Sequence, residues 1–510
     1  MPRDQTVVIV GAGVGGLACA VDLAAGGARV VVLERAPASG GKARSVLAGG
    51  QAIDGGPTVF TMPWVFAELF DRAGRSFRSA VTLEQDEVLA RHAWRDGTRL
   101  DLFADPGRSA DAIGRVFGLG EARAYRAFCE DTRRIFAIAK EPFLESQRLT
   151  LLGIVGRFGA AGLATLAKLD SHRSMAESLR RRFGEPRLRQ LFGRYATYVG
   201  SSPFEAPATL NLIAHVEEKG VYRARGGMRA LVRALEDLAV ELGVTIRHDT
   251  EVDRIVVEGG RVRGVAARGD FTRADAVVFN GDVSALGSGL LGREAARGTS
   301  PTAPDARSLS AVTWAMVARA EGMPLVHHNV VFSDDYPAEF DALLKARRVP
   351  AEPTVYVCAQ DRADAEGSPA EERLLVLVNA PPTGEEPGRW STGERERCTR
   401  VMERMLSQAG VSLAPTATVQ TTPVEFHRLF PATGGALYGP RSKGSRSVLA
   451  RVGAATKIPG LYLAGGSVHP GAGVPMSAMS GCLAALRIRG DRASTARSRM
   501  AAILGTTSTG

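Results

Sequence analysis

The stretch TVVIVGAGVGGLACAVDLAAGGARVVVLERAPASGGKAR, from Thr6 to Arg44, constrains the fold more than any other part of the chain. Thr6 to Val10 is an apolar, β-branched run of the kind buried in a parallel sheet, and it enters Gly11-Ala12-Gly13-Val14-Gly15-Gly16 directly. Gly11, Gly13 and Gly16 fit the spacing G-x-G-x-x-G. The first glycine allows the tight turn and the second lets backbone approach a pyrophosphate. The third lets a helix, predicted from about Leu17 to Ala25, pack on the strand. That helix aims its N-terminus at the phosphates. A second apolar strand, Arg29 to Leu33, ends at Glu34, where a carboxylate can accept hydrogen bonds from a ribose. Alone the glycine spacing says little, but strand, helix, second strand and terminal acid in register predict a dinucleotide site in an α/β, Rossmann-type domain.

The segment beyond Glu34 narrows the dinucleotide. Gly40-Gly41-Lys42-Ala43-Arg44 adds flexible backbone and two cations where further phosphate contacts would lie, which a nicotinamide unit does not need. The run resembles the GG-[RK]-x-x-[ST] element after the first βαβ unit of two-dinucleotide-domain flavoproteins, and so implies FAD; the alternative is a pair of solvated loop charges. Arg35, Gly41 and Lys42 join Glu34 as candidate cofactor contacts. Gly56, Pro57 and Thr58, within Asp54-Gly55-Gly56-Pro57-Thr58, supply small residues and a rigid turn suited to backbone lying against a flat ligand.

Similar signals recur twice, so the cofactor domain is discontinuous. One recurrence starts at Gly226-Gly227-Met228 and runs through a helical pattern from Ala230 to Leu242 and several short β-rich segments. It closes with a buried strand, Ala274 to Phe279. The other is Leu461 to Met476, where a strand ends in Gly465 and Gly466 and a helix from about Ser477 to Arg487 comes after Gly473, Val474, Pro475 and Met476. Amides at that helix start can meet phosphate, ribitol or the isoalloxazine edge. The expected FAD domain is therefore 1–80, 225–290 and 451–492. An α+β substrate domain is inserted as 81–224 and 291–450, and a frayed tail covers 493–510. Within the insertion, 330–333, 354–358 and 374–378 read as strands of one sheet, and 106–192 as mainly helical.

Composition removes several classes. With 510 residues and 45% apolar content the chain can build two or three ordinary cores. Its net charge of +10 would suit nucleic acid or anionic lipid, but no zinc-finger spacing or RNP-type aromatic motif accompanies it, so nucleic acid is not an expected partner. The five cysteines are scattered, odd in number and never paired as C-x-x-C, which points to a reducing compartment and no metal. No run of about 20 uninterrupted apolar residues predicts a spanning helix, and the start reads as a strand rather than a signal peptide.

The order of blocks, with AGGSVHPGAGVPMSAMSG near the end, resembles the bacterial and fungal type carotenoid desaturases, flavoproteins distantly related to amine oxidases. Arg194 to Pro203, His327 to Tyr336 and Val355 to Arg362 look most like the 1-hydroxycarotenoid 3,4-desaturases. The resemblance implies FAD, an acyclic carotenoid substrate dissolved in lipid, an electron acceptor such as oxygen or a quinone, and a peripheral place on the cytoplasmic side of the bacterial inner membrane. It also implies backbone at Val252 lying against adenine, where the bland alternative is a plain edge strand. Met476-Ser477 departs from the glycine that many relatives carry after the proline. Alternatives of the same fold are a phytoene or diapophytoene desaturase and a carotenoid cis–trans isomerase; more remote is a non-enzymatic prenyl-protein carrier.

Desaturation needs an acceptor for hydride, which flavin N5 supplies, and a sink for a proton; the protein then contributes position and exclusion of water. No general base declares itself. His469 is the first candidate for a polar group near the flavin, against a purely structural role in shaping its loop. His327 and His328 precede a predicted strand, where neighbours face opposite ways, so they are not expected to share a site. Leu149 to Leu169, apolar but broken by glycines and Arg157, reads as an interfacial helix or tunnel wall. Arg173, Arg180, Arg181, Arg182, Arg187, Arg189 and Arg194 beside it make a basic region suited to anionic lipid; the alternative is a core helix with a solvated face.

Overall fold

The computed structural model describes residues 6–140, 146, 169–362, 370–445, 447 and 451–506. Strands from both ends and the middle of the chain meet in one five-stranded parallel sheet. Its order is Leu461–Leu463, Ala276–Phe279, Thr6–Val10, Arg29–Leu33, Thr245–Arg247. The central strands are apolar at successive positions because both faces are covered. Val7, Ile9, Val30 and Val32 face the helices Val14–Ala25, Met228–Glu241 and Trp64–Arg72. Val8, Val31, Leu33 and Val277 face a three-stranded antiparallel layer, Val252–Glu258, Arg261–Ala267 and Asp270–Arg273. The strands Thr6–Val10 and Arg29–Leu33 coincide with the sequence reading, while the first helix begins at Val14 rather than Leu17.

A second sheet has seven strands in the order Val411–Thr421, Ser310–Gly322, Glu372–Ala380, Val355–Ala359, His328–Val331, Val88–Ala93, Arg99–Phe103. Every pairing is antiparallel except that of His328–Val331 with Val88–Ala93. One face of its central strands packs on the helix Thr392–Gln408 through Trp314, Met316, Met402 and Met405. At the other end, Leu100, Leu102, Val330 and Phe332 join the helices Pro106–Phe117, Leu119–Ala139, Met175–Arg182 and Pro186–Gly193 in a separate core.

Two features depart from the expected organisation. The hairpin Ser45–Ala48 and Gln51–Asp54, expected within the cofactor block, lays Ala48 and Ile53 on Ala315, Val317 and Leu375 of the seven-stranded sheet. The final helix, expected to end near Arg487 and to fray after residue 492, runs from Val474 to Thr506. Beyond Pro475 no proline interrupts that stretch, and its alanines, arginines and leucines favour helix. All five cysteines are free.

Candidate functional site

The carboxyl ends of the parallel strands converge on the first glycine loop. Gly11 adopts φ 100, a left-handed turn that donates its N–H to Leu33 O at 2.8 Å and so closes the loop on the second strand. Gly16 is required for space: a Cβ there would stand 2.2 Å from Gly11 O. Asn280, at the end of Ala276–Phe279, donates from Nδ2 to Gly11 O at 3.0 Å, and its amide lies against Gly13, Gly15, Gly16 and Gly465. In the sequence reading the strand ends at Phe279 and Asn280 has no role; its place as the post around which the loops close arises from the crossover between strands.

The late glycines arrive at the same place. Ala464 N donates to Phe279 O at 3.0 Å, and Gly465 N donates to Ser480 Oγ at 3.2 Å. A Cβ on Gly15 would meet Ser477 O at 2.9 Å, and one on Gly481 would stand 2.0 Å from Gly15 O. The helices starting at Val14 and Val474 therefore cross backbone to backbone, with both N-termini at the glycine cluster. Gly466, Gly473, Pro475 and Met476 lie along the second of these helix entries.

Glu34 is buried and placed as expected, at the end of the second strand. Its Oε2 accepts from Ala12 N at 2.7 Å and its Oε1 from Ala36 N at 2.9 Å. A carboxylate has about four acceptor positions, so two remain for a ribose. Val252 lies nearby, because Thr250 N donates to Glu34 O at 2.7 Å and Asp249 N to Ala36 O at 3.1 Å. Gly40 N donates to Ala12 O at 2.9 Å, folding the second glycine pair over the first loop. The neighbouring cations have protein partners: Lys42 Nζ donates to Leu437 O at 2.5 Å and lies 5.2 Å above the Phe430 ring, and Arg35 donates to Arg428 O at 3.1 Å. Burial lowers the Lys42 pKa, with Asp282 opposing it. A Cβ on Gly56 would stand 1.8 Å from Lys42 O, so this turn and the Gly41-Lys42 turn are in backbone contact.

His469 is buried, and its backbone N–H donates to Val452 O at 2.9 Å. Beside it is Arg451, a residue sequence reasoning passed over. It donates to Gly466 O at 3.0 Å and to Tyr438 O and Pro440 O at 3.1 Å, and burial brings its pKa down to about 10. Nothing local in the sequence distinguishes this buried arginine from the many exposed ones.

Across from the glycine loops, Thr58 carries the chain toward the seven-stranded sheet. Its Oγ1 and the Tyr356 hydroxyl are 2.7 Å apart, and the same hydroxyl is 2.7 Å from His328 Nδ1. His328 Nε2 lies 3.9 Å from Oδ2 of Asp86, a fully buried carboxylate that is ion-paired with Arg223. Burial, with His327, Arg194 and Arg223 nearby, holds the His328 pKa well below the ordinary histidine range, so the ring is neutral. The facing carboxylate assigns its proton to Nε2. Tyr356 then donates to Nδ1 and accepts from Thr58.

The expectation that His327 and His328 cannot share a site is corrected. The strand begins at His328, so alternation does not govern His327, and the two ring centroids are 4.5 Å apart at 71°. His327 is fixed by Nδ1 against Ala359 O at 3.0 Å and has Nε2 3.7 Å from Cys358 Sγ. The ligand atoms of His327, His328 and Cys358 lie within 4.8 Å of one another. Burial pushes the Cys358 thiol up, against the thiolate a metal would need. A cavity of about 230 Å³ borders this cluster, lined among others by Asp54, Thr58, Tyr222, His327 and Cys358.

The seven arginines of the basic region are divided. Arg194 is buried, and Arg173, Arg182 and Arg187 are paired with Asp170, Asp131 and Asp96. Arg189 Nε donates to Phe183 O at 2.8 Å, while Arg180 and Arg181 remain exposed. Asp131 and Asp96 are brought from remote segments, while Asp170 lies three residues before its partner Arg173. The apolar stretch Leu149–Leu169 lies outside the described residues except for Leu169, which is buried. No helix among the described residues is long and apolar enough to cross a membrane.

Comparison with known proteins extends this geometry. Residues 14–489 match the family described as flavin containing amine oxidoreductase. The chain is 48% identical to hydroxyneurosporene desaturase of Rubrivivax gelatinosus, covering 99% of this chain and 97% of that one. It is 41% identical to hydroxyneurosporene desaturase of Cereibacter sphaeroides, covering 96% and 99%. Among solved structures, an oxidoreductase from Methanosarcina mazei shares the fold with a TM-score of 0.58 at 18% identity, covering 94% of this chain and 99% of that one.

Proposed function

This chain belongs to the flavin-containing amine oxidoreductases and is an FAD-dependent oxidoreductase, and we propose that it dehydrogenates the C3–C4 bond of an acyclic 1-hydroxycarotenoid. The observation that carries the reading is the identity of 48% with a hydroxyneurosporene desaturase over nearly the whole of both chains.

The residues present fit FAD. Gly16 and Gly56 leave no room for a Cβ, the helices at Val14 and Val474 begin side by side, and Glu34 keeps acceptor positions beside the loop. In this reading Gly11, Gly13 and Gly16 with the Val14 helix hold the pyrophosphate, and Glu34 holds the ribose with Val252 toward adenine. Arg35, Gly41 and Lys42 complete the phosphate side. Gly56, Pro57 and Thr58 flank the ring together with Gly465, Gly466, Gly473, Val474, Pro475 and Met476. Bound FAD supplies a two-electron sink. The chain's own task is to orient the polyene and exclude water, which suits the half-buried Val59, Tyr198, Leu210 and Tyr356 packed on the helical core. His469, held within the late glycine segment, shapes the loop beside this site. The discontinuous cofactor domain and its insertion, 81–224 and 291–450, share the work in the same way.

A carotenoid dissolved in lipid requires the enzyme to meet a bilayer. We place it as a peripheral protein on the cytoplasmic face, with Arg180 and Arg181 facing anionic lipid and oxygen or a quinone taking the electrons. Purified protein reconstituted with FAD and vesicles tests the reading. The expected outcome is a red shift of polyene absorption on 1-hydroxyneurosporene. No shift there, with one on phytoene, overturns it. Flotation on anionic vesicles that survives Arg180→Glu with Arg181→Glu removes those arginines from the account.

A further inference from the structure

Arg194 poses a problem of charge burial. It is 9% exposed, its Cζ lies 5.1 Å over the Tyr198 ring and 5.6 Å over the Tyr356 ring, and Nη1 donates to the Tyr198 hydroxyl at 3.2 Å. Among the described residues no carboxylate forms a direct ion pair with it. Glu217 lies farther off, accepting from the Tyr195 hydroxyl at 2.7 Å; burial raises its pKa, with Tyr195, Tyr198 and Arg194 opposing. A guanidinium offers five N–H donors, and stacking on aromatic faces satisfies the charge without satisfying those donors. Only Nη1 meets a protein oxygen; Nε and Nη2 have none and are not sealed from solvent, so an entering oxygen acceptor can reach them. An anion costs far more to bury than a neutral oxygen, so a neutral oxygen fits this buried place better.

The place of Arg194 limits which oxygen. One of its two aromatic neighbours, Tyr356, is in hydrogen-bond contact with Thr58, in the segment proposed to flank the flavin. In a 1-hydroxycarotenoid the alcohol oxygen is three bonds, each of about 1.5 Å, from C3. Any group that reads this hydroxyl must therefore sit within a few ångströms of the carbon that reacts. Thr58, Tyr356 and Arg194 form a polar group that begins at the proposed flavin wall, continues through His328 to Asp86, and borders the apolar and aromatic side chains of the helical core.

Resting on the desaturase reading above, we propose that Arg194 and the Thr58–Tyr356 hydroxyl pair form the site that recognises the substrate's C1 hydroxyl. The guanidinium donates to the alcohol oxygen. The alcohol hydrogen goes to Thr58 Oγ1, whose own hydrogen is committed to Tyr356, which in turn donates to His328. Tyr356 acts as a positioning residue, holding both Thr58 and the face of Arg194. A hydrocarbon end lacking the hydroxyl would leave these donors and acceptors buried without partners, and so would be rejected.

The test compares 1-hydroxyneurosporene with neurosporene, measuring kcat and KM for each, FAD content from flavin absorbance, and anaerobic binding of each carotenoid from quenching of protein fluorescence. Wild type is expected to prefer the hydroxylated carotenoid by roughly 10- to 100-fold in both binding and kcat/KM, the range for a hydrogen bond to a charged group. Arg194→Met should bring that preference to within about threefold, Arg194→Lys should restore part of it, and Tyr356→Phe should reduce it, all with wild-type FAD content. Should Arg194→Met fail to fold, Tyr356→Phe removes only one oxygen and decides the matter. A preference unchanged in Arg194→Met, or in Tyr356→Phe where only that variant folds, overturns the recognition site alone, as does wild type acting equally on both carotenoids. Wild type acting on neither overturns the desaturase reading and this site with it.

Discussion

The two sheets assemble their polar groups by opposite means. At the parallel sheet the candidate site consists largely of absent side chains: Gly11, Gly13, Gly16, Gly56 and Gly465 bring backbone together, and two helix N-termini supply donors. Charged residues are few there and held by backbone, as Glu34 is by Ala12 and Ala36. At the seven-stranded sheet the polar groups are side chains from distant segments, Thr58, Asp86, Arg194, His328 and Tyr356, each held by another side chain. The first arrangement tolerates almost no added atoms. The second depends on its partners, and the loss of one strands another.

That difference can be broken most severely at Gly16. With a Cβ 2.2 Å from Gly11 O, Gly16→Ala should yield protein without flavin absorbance and with a much lowered melting temperature, by the overpacking that costs up to about 3 kcal/mol or more. Retention of full FAD content would show the helix free to shift. In the other region, Arg362 is buried against Glu372, with Nη2 and Nε at 2.6 and 2.8 Å from the two carboxylate oxygens. Arg362→Ala strands that carboxylate and should cost about 3–5 kcal/mol in urea unfolding. The contrast predicts that flavin still binds to the folded fraction.

A smaller effect depends on pH. Glu339 is buried, accepts from Ser333 and Thr354 at 2.8 and 2.7 Å, and burial pushes its carboxyl up to about 7. Between the ordinary value of 4.5 and about 7 the unfolded chain has lost this proton while the folded chain keeps it. The stability this group contributes is therefore complete below about pH 4.5 and lost as pH rises through about 7, by up to about 3 kcal/mol. Glu339→Gln should flatten that part of the profile when urea midpoints are compared at pH 5 and pH 8; an unchanged slope assigns it to other groups. The smallest effect belongs to the surface. Arg397→Ala, which removes the pair with Glu394 at 2.7 Å, should change stability by less than about 1 kcal/mol and leave flavin content untouched.

The contrast also explains what could be read in advance. Thr6–Val10 and Arg29–Leu33 were legible to the residue because a strand buried on both faces writes its whole length in apolar residues. The late segment at Gly465 was legible because glycines at a strand end repeat the logic of the first loop. Asn280, Arg451 and Arg194 carried no such signal: a polar residue reveals its burial only through partners, and those partners lie far along the chain. His327 and His328 were separated by a rule of strand alternation that does not apply one residue before the strand begins.

The sequence by itself determined the parallel sheet, the glycine loop and the kind of cofactor, since these rest on local spacing and on residues that must be small or apolar wherever the chain turns. The tertiary structure alone decided which charges are buried, which arginines face solvent, and that Thr58, Tyr356, His328 and Arg194 meet. Their contacts span up to 298 positions, as between Thr58 and Tyr356. No local propensity encodes such a meeting, which exists only once distant segments have folded together.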